Sequence, residues 1–155
     1  MSPAALHRAL APDLKDRLQR RLSASPALAH LHPELEQLEP DSCVIRLPYR
    51  MELTNGSGTV HGGVLATLAD TAVAFALSTN FDGKMGFATA DLTIHFLARA
   101  RSDVRARARI VKKGRRINVG DAEIVDAGGR AVARALASFV LTTSSFDYAP
   151  EGKKE

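Results

Sequence analysis

Apolar and polar residues alternate along several short stretches of the chain, with the period of two that is typical of strands. The clearest stretch is DVRARARIV (103–111), where apolar side chains share one face and three arginines share the other. Similar stretches complete a set of five predicted strands: 42–49, 87–98, 117–126 and 131–143. Short turns join the last four, and strands connected so tightly are antiparallel. The pattern therefore predicts an antiparallel sheet.

Two segments have a helical pattern instead. In PDLKDRLQRRL (12–22), Leu14, Leu18 and Leu22 recur every fourth residue among charged ones, which is typical of an amphipathic helix. From Gly62 to Ser78 nearly every residue is apolar or small, so this longer helix should be enclosed by the rest of the fold. We therefore expect an α+β fold, with an antiparallel sheet wrapped around one long central helix and an extra N-terminal helical arm.

The chain has 155 residues, a length that fits one domain. Breaks in the pattern at SASP (23–26) and HPEL (32–35) separate an arm at 1–32 from a domain of sheet and central helix at 33–143. The last residues, 144–155, have no strand or helix pattern and are expected to form a flexible tail. The basic face of the arm could rest on a membrane surface, although a solvated face is the simpler interpretation.

Composition narrows the class of protein. Hydrophobic residues make up 45% of the chain and charged residues 25%, as in soluble globular proteins. The single cysteine, Cys43, excludes an internal disulfide and fits a reducing compartment. The N-terminal stretch lacks the apolar core of a secretion signal, and no charge-free segment is long enough to span a bilayer. We therefore expect a cytoplasmic protein that does not enter a membrane.

The net charge of +4 indicates that an anionic partner is possible. A nucleic acid and a phosphorylated small molecule would both satisfy this charge. Nothing in the chain resembles a nucleic-acid motif with interleaved aromatic residues, so nucleic acid is the less favoured partner.

The predicted central helix contains one acidic residue, Asp70, in an otherwise apolar run. A buried carboxylate without a partner is costly, and no lysine or arginine occurs between Val60 and Asp82. Two interpretations remain open. Asp70 could point to solvent on a narrow polar seam with the hydroxyl residues of the same helix, or it could have a chemical role.

The same helix begins at GTVHGG (58–63). N–H groups in the first turn of a helix lack intrahelical acceptors, and the helix dipole favours an anion or a carbonyl oxygen that gains negative charge. Glycine at 62 and 63 lets a ligand approach the backbone closely. Together with a nearby carboxylate, this start suggests chemistry on an acyl group.

The spacing of these two features constrains the site. Eight residues separate Gly62 from Asp70, or about 12 Å along a helix axis, so one carbonyl carbon cannot lie close to both. If both belong to one active site, they come from different chains. A two-fold dimer with antiparallel central helices would place each Gly62 opposite the partner's Asp70.

The residues from Asn55 to Asp70 follow the pattern N-x-x-G-T-V-H-G-G-x-x-x-T-L-x-D. This pattern closely resembles the signature of the hotdog-fold acyl-CoA thioesterases of the phenylacetate-pathway (PaaI) type. The resemblance continues through TADLTIHFL (89–97), VKKGRR (111–116) and the last predicted strand, and it covers 33–143.

The resemblance implies a hotdog homodimer, paired into a homotetramer, that hydrolyses an acyl-CoA thioester without metal or other cofactor. Asp70 would be the catalytic carboxylate, which attacks the thioester or activates water, and Gly62 would donate its N–H to the oxyanion. Asn55 would orient water or the carbonyl from the same chain as Gly62. Thr89 would assist the nucleophile, and His61 would hold the loop through hydrogen bonds rather than act as a base.

The resemblance also places the CoA nucleotide beside the end of the strand at 87–98 and the loop KKGRR. The residues expected to contact substrate or CoA are Phe96, Leu97, Arg99, Lys112, Lys113, Gly114, Arg115 and Arg116, with Arg101 as a further candidate. Cationic side chains recognise phosphates, although a solvated run of charges explains any one of these residues equally well.

The remaining histidines and one aspartate are interpreted as structural. His95 and Asp91 lie on a predicted strand, where packing and interface roles are common. His7, His30 and His32 have no ligand-like neighbours in the sequence, and no Cys/His cluster indicates a metal site.

Two other functions were compared with thioester hydrolysis. A hydratase or dehydratase on the same fold uses a histidine with an acidic residue at other spacings, and no such pair occurs in the loop before the helix. A non-catalytic module that binds acyl-CoA or nucleic acid would not need the set Asn55, Gly62, Asp70 and Thr89. The sequence leaves the acyl group open, between aryl and medium- or long-chain groups.

Overall fold

The computed structural model describes residues 9–142. The predicted tail at 144–155, His7 and the first eight residues of the arm lie outside them. In chain order the helices and strands are α1 (Leu14–Ala24), β1 (Glu34–Glu39), β2 (Ser42–Leu47), α2 (Gly62–Ser78), β3 (Phe87–Phe96), β4 (Val104–Lys112), β5 (Ile117–Asp126) and β6 (Ala131–Leu141), with 3₁₀ turns at Ala29–Leu31, Met51–Leu53 and Thr79–Phe81.

The six strands form one antiparallel sheet in the order β1-β2-β4-β5-β6-β3. The helix α2 packs on one face of this sheet, mainly against β2, β4 and β5. The predicted α+β hotdog architecture, with one long central helix and an N-terminal helix, is confirmed. The bounds of α2 and β5 coincide with the predicted ones.

The sheet has one strand more than the sequence predicts. The additional strand, β1, has a bulge between Leu35 and Gln37, and a bulge interrupts the period of two. It is also an end strand in which Leu35 is the one fully buried residue, so its hydrophobic signal is weak. The strand β2 ends at Leu47, directly before Pro48, because proline has no N–H for the ladder.

The strand β4 shows how the sequence pattern becomes packing. Its residues Val104, Ala106 and Ala108 are buried, while the three intervening arginines lie on the outer face of the sheet. Two of these arginines pair with acidic residues of other strands, Arg105 with Glu36 of β1 and Arg109 with Asp121 of the adjacent β5. The alternation therefore separates the core from a charged outer surface, as predicted.

The contact between α2 and the sheet is close because the facing residues are small. A Cβ atom at Gly120 of β5 would lie 2.4 Å from Val73 Cγ1 of α2, nearer than two non-bonded carbon atoms can approach. Within the described part of the chain, Gly62–Phe81 is the one helical stretch whose length and composition would allow it to cross a membrane. Half of its most apolar window is buried inside the fold, so it is the core helix.

The arm helix α1 belongs to the same hydrophobic core. Its three leucines, 14, 18 and 22, are each at most 1% exposed and join the core cluster around α2. Arg17 pairs with the Asp82 carboxylate at 2.9 Å and also donates to its carbonyl oxygen at 3.0 Å. Arg21 donates to the Gly83 carbonyl oxygen at 2.7 Å. These contacts attach α1 to the turn that leads from α2 into β3.

Because α1 is built into the core, its packing should contribute to the stability of the whole domain. We expect Leu18→Ala to lower the free energy of unfolding by about 2–5 kcal/mol, since it removes a buried side chain and leaves a cavity. The matched control is Leu136→Ala on β6, where the side chain is 47% exposed and the expected loss is below about 1 kcal/mol.

Urea unfolding at a fixed chain concentration measures both variants. Equal midpoints for the two variants would show that α1 unfolds independently of the sheet.

Candidate active site

The first turn of α2 leaves one backbone donor open. The Gly63 N–H donates to His61 Nδ1 at 2.9 Å, so His61 caps the helix. The Val64 and Leu65 N–H groups donate to the His61 carbonyl oxygen at 2.9 and 3.1 Å. Among residues 9–142, the Gly62 N–H has no acceptor. It lies at the positive end of the helix dipole, where it can bind an anion or a polarised carbonyl oxygen.

Asn55 lies in the loop that leads into α2. Its Oδ1 accepts hydrogen bonds from the Ser57 N–H at 3.0 Å, the Ser57 hydroxyl at 2.8 Å and the Thr59 N–H at 3.3 Å. Because the Ser57 and Thr59 N–H groups can only donate, the atom that they contact must be the oxygen of the Asn55 amide. The Asn55 side chain therefore uses its oxygen inside the loop and has its NH₂ group to offer a ligand.

Asn55 and Gly62 line one cleft of about 340 Å³. Three residues expected to contact substrate, Phe96, Leu97 and Arg99, line the same cleft. The Phe96 ring lies over the helix start, with its Cζ 3.1 Å from where a Cβ at residue 62 would be. A side chain at this position would therefore press on the ring and cover the open N–H. The other lining residues are Thr59, Val60, Leu65 and Ala98.

Asp70 lies further along α2, next to β3. The Thr89 hydroxyl donates to Asp70 Oδ1 at 2.9 Å, and no lysine, arginine or histidine of residues 9–142 pairs with this carboxylate. Burial raises the pKa of Asp70 above its ordinary 3.8, and the hydrogen bond from Thr89 offsets part of that rise. The result is a half-buried carboxylate oriented by one hydroxyl.

The polar seam considered from the sequence is present in part. Thr67, Asp70 and Thr71 are half-buried on the side of α2 that the sheet of the same chain leaves uncovered, whereas Ser78 is buried. The two threonine hydroxyls donate to helix carbonyl oxygens four residues earlier, so neither is bound to Asp70. Asp70 therefore lies on an open face of α2, with Thr89 as its hydrogen-bond partner.

One chain does not bring the two sets of residues together. The cleft with Asn55 and Gly62 includes neither Asp70 nor Thr89 in its lining. Both sets border β3, which is the last strand of the sheet and has a long exposed stretch. The candidate site is therefore present as two half-sites on the same side of the chain, one with the open N–H and one with the carboxylate.

The loop between β4 and β5 is held by its own contacts. Lys113 pairs with Asp41 at 2.7 Å and donates to Asn80 Oδ1 at 3.3 Å. Gly114 donates its N–H to Asn118 Oδ1 at 3.1 Å, and a Cβ there would lie 2.5 Å from the Ile117 carbonyl oxygen. The residues of this loop that are exposed and have no ion pair within the described chain are Lys112, Arg115 and Arg116.

His95 and Asp91 lie on the outer face of the sheet, opposite α2, where they pair with Arg134 and Ser138 of β6, respectively. Cys43 is buried, its thiol donates to the Ala72 carbonyl oxygen, and burial raises its pKa to about 12. Within residues 9–142 no group of three or more His, Cys, Asp or Glu side chains is arranged to hold a metal ion.

The sequence did not predict the contacts of two residues near the cleft. Tyr49 was not expected to take part in the site, and Arg101 was expected to contact CoA. The Tyr49 hydroxyl donates to the Gly58 carbonyl oxygen at 2.8 Å, and Arg101 donates to the Ser57 carbonyl oxygen at 3.1 Å. Tyr49 lies nine residues from Gly58, and Arg101 lies 44 residues from Ser57. No sequence pattern indicates such contacts, because they depend on how the folded backbone brings these segments together.

Comparisons with known proteins identify the family of this chain. Residues 57–133 match the family model described as the thioesterase superfamily. A protein of Halobacterium salinarum that is named as an esterase is 35% identical over 103 residues, which are 63% of this chain and 68% of the relative.

Solved structures show the same fold. A thioesterase family protein from Silicibacter pomeroyi has a TM-score of 0.75 and 26% identity, over 83% of this chain and 97% of that one. The Escherichia coli PaaI protein of the phenylacetic acid degradation operon has a TM-score of 0.79 and 22% identity, over 88% and 99%. With this fold and these relatives, the chain belongs to the thioesterase superfamily, as a thioester hydrolase with a PaaI-type hotdog fold.

Proposed function

We propose that this protein hydrolyses acyl-CoA thioesters at a site shared by two chains, with Asp70 of one chain and Gly62 of the other acting on the same carbonyl. The observation that carries the proposal is the half-buried Asp70 carboxylate, which has a hydroxyl partner but no cation within the described chain. A carboxylate that no cation neutralises is available to attack a carbonyl carbon or to take a proton from water.

In the general-base route, Asp70 removes a proton from a water molecule whose oxygen attacks the thioester carbonyl. In the nucleophilic route, the carboxylate itself attacks and forms a mixed anhydride, which water then hydrolyses. In both routes the C–S bond breaks and CoA leaves as a thiolate that takes up a proton. The Thr89 hydroxyl occupies Oδ1 of Asp70, so it would orient the carboxylate and leave Oδ2 for the reaction.

The opposing half-site would stabilise the oxyanion that both routes produce. The open Gly62 N–H at the start of α2 would donate to that oxygen, and the Asn55 NH₂ group would be a second donor from the same chain. Donors fixed before the reaction need no reorganisation as the charge develops. His61 would hold this arrangement by capping α2 through Gly63.

A homodimer would bring the two half-sites together. The uncovered side of α2 and the free edge of β3 are adjacent. Both are accessible to solvent in a single chain, and a partner chain would cover them. Pairing about a two-fold axis with antiparallel α2 helices would place each Gly62 opposite the partner's Asp70 and would form two equivalent sites. Two such dimers would make up the expected tetramer.

The exposed basic residues suit the phosphates of CoA. Arg99 lines the cleft, and Lys112, Arg115 and Arg116 are exposed on the loop between β4 and β5. Lys113 is already paired with Asp41, so it is the weaker candidate among them. Phe96 and Leu97 are each 55% exposed and would supply apolar contacts to an aryl or a medium- to long-chain acyl group.

The first test is thiol release from phenylacetyl-CoA, hydroxybenzoyl-CoA and straight-chain acyl-CoAs of increasing length. We expect the wild type to hydrolyse some of them and Asp70→Asn to lower kcat about 100-fold or more, because it removes the charge and keeps the shape. The control is Asp16→Asn on α1, an equal change at an exposed site, with unchanged kcat. If the wild type binds acyl-CoA and releases no thiol, the protein is a binding module.

The raised pKa of Asp70 also predicts a stability effect. The native state holds this proton more tightly than the unfolded state, so the group costs stability once the pH exceeds its raised pKa. We therefore expect Asp70→Asn to unfold at a higher temperature than the wild type at pH 7.5. The difference should shrink as the pH falls through the raised pKa and should vanish below 3.8, where the carboxyl group is protonated in both the folded and the unfolded wild type.

Differential scanning fluorimetry across this pH range measures the effect. A wild type that is more stable than Asp70→Asn at pH 7.5 would indicate that the carboxylate has a stabilising partner.

A further inference from the structure

The loop that carries Asn55 has no hydrophobic anchor at its tip. Asn55, Gly56 and Ser57 are exposed. The loop is shaped internally by a turn in which Gly58 donates its N–H to the Asn55 carbonyl oxygen, and by the bond from the Asn55 N–H to the Thr59 carbonyl oxygen. These bonds define the shape of the tip but do not fix its place relative to α2. Its place depends on contacts with the rest of the chain.

Tyr49 supplies one such contact. Its hydroxyl donates to the Gly58 carbonyl oxygen at 2.8 Å, where the backbone takes the left-handed conformation with φ of +70°. Tyr49 is itself fixed, because its ring packs on the core and its N–H donates to Asp103 Oδ1 at 2.8 Å. Arg46 binds Asp103 Oδ2 at 2.6 Å, so the anchor of Tyr49 is a charged group held by the sheet.

Arg101 supplies the second contact, from the connection between β3 and β4. Its guanidinium donates to the Ser57 carbonyl oxygen at 3.1 Å. The preceding residue, Ala100, is buried and accepts the Val60 N–H at 2.8 Å. Three residues of the loop, Ser57, Gly58 and Val60, are thus held by two connecting segments, the one after β2 and the one between β3 and β4.

We propose that Tyr49 and Arg101 are positioning residues for thioester hydrolysis, which hold the loop so that the Asn55 NH₂ group and the Gly62 N–H converge on one oxygen. This inference rests on the proposed function. Asn55 is joined to Gly58 by the turn, whereas Gly62 is held in the first turn of α2, so a displacement of the Gly58 carbonyl moves the Asn55 NH₂ group relative to the Gly62 N–H. Catalytic groups lose much of their effect when displaced by about 1 Å.

Tyr49→Phe tests the inference, because it removes the hydroxyl and keeps the ring that packs on the core. We expect kcat to fall about tenfold and KM to stay within about twofold, since the hydroxyl bonds to the backbone and the loss is confined to the transition state. Arg101→Gln should do the same. The matched control is Arg107→Gln, at an exposed arginine of β4 on the outer face, with unchanged kcat.

The split between kcat and KM separates this role from two others. If Arg101 instead binds a CoA phosphate, Arg101→Gln raises KM and leaves kcat unchanged, and its part in the inference is wrong. If Tyr49 only stabilises the fold, Tyr49→Phe lowers the melting temperature with unchanged kcat, and the inference fails for that residue.

Amide hydrogen exchange tests the same inference without an activity assay. The N–H groups of Asn55, Gly58, Val60 and His61 are all hydrogen-bonded, so their exchange reports the opening of the loop. We expect Tyr49→Phe to speed their exchange about tenfold and to leave β5 unchanged. Unchanged exchange in the loop would overturn the inference. A wild type that hydrolyses no thioester would instead refute the proposed function, and faster exchange in Tyr49→Phe would still show that Tyr49 holds the loop.

Discussion

The structure depends on one unusual constraint, a carboxylate half-buried on an apolar helix without a cation in the described chain. Asp70 would be destabilising in any purely structural role, because burial disfavours its charge and one hydroxyl compensates only in part. The rest of α2 can be apolar because small sheet residues such as Gly120 let it pack closely. The helix therefore holds Asp70 on its uncovered side, and the proposed function would give this costly charge a role.

The surrounding elements keep the two half-sites in place relative to α2. At its N-terminal end, His61 caps the first turn and leaves the Gly62 N–H open. At the other end, α1 binds the turn at Asp82 and Gly83, from which β3 begins and carries Thr89 to Asp70. The helix α1, which the sequence suggests to be an accessory arm, thus helps to hold the strand that carries Thr89 to Asp70.

The central elements of the fold could be predicted from sequence, because their signals are local. The apolar run of α2 and the strict alternation of β4 each report burial directly, whereas β1 was missed because a bulge breaks its period. Asp70 and Gly62 were singled out from the pattern of the helix itself, whereas Asn55 and Thr89 were proposed through the resemblance to a known signature. The contacts of Tyr49 with Gly58 and of Lys113 with Asp41 could not be predicted, since each depends on a path of the folded backbone that no local sequence pattern reports.

In the proposed mechanism, each active site takes Asn55 and Gly62 from one chain and Asp70 and Thr89 from the other. The most direct test mixes two inactive variants, Asn55→Ala and Asp70→Asn, as refolded or co-expressed chains. In a shared site, each mixed dimer has one complete site, so an equal mixture should recover roughly a quarter of the wild-type kcat. A mixture that stays as inactive as its two components, although mixed dimers form, would show that the two chains do not share a site in this way.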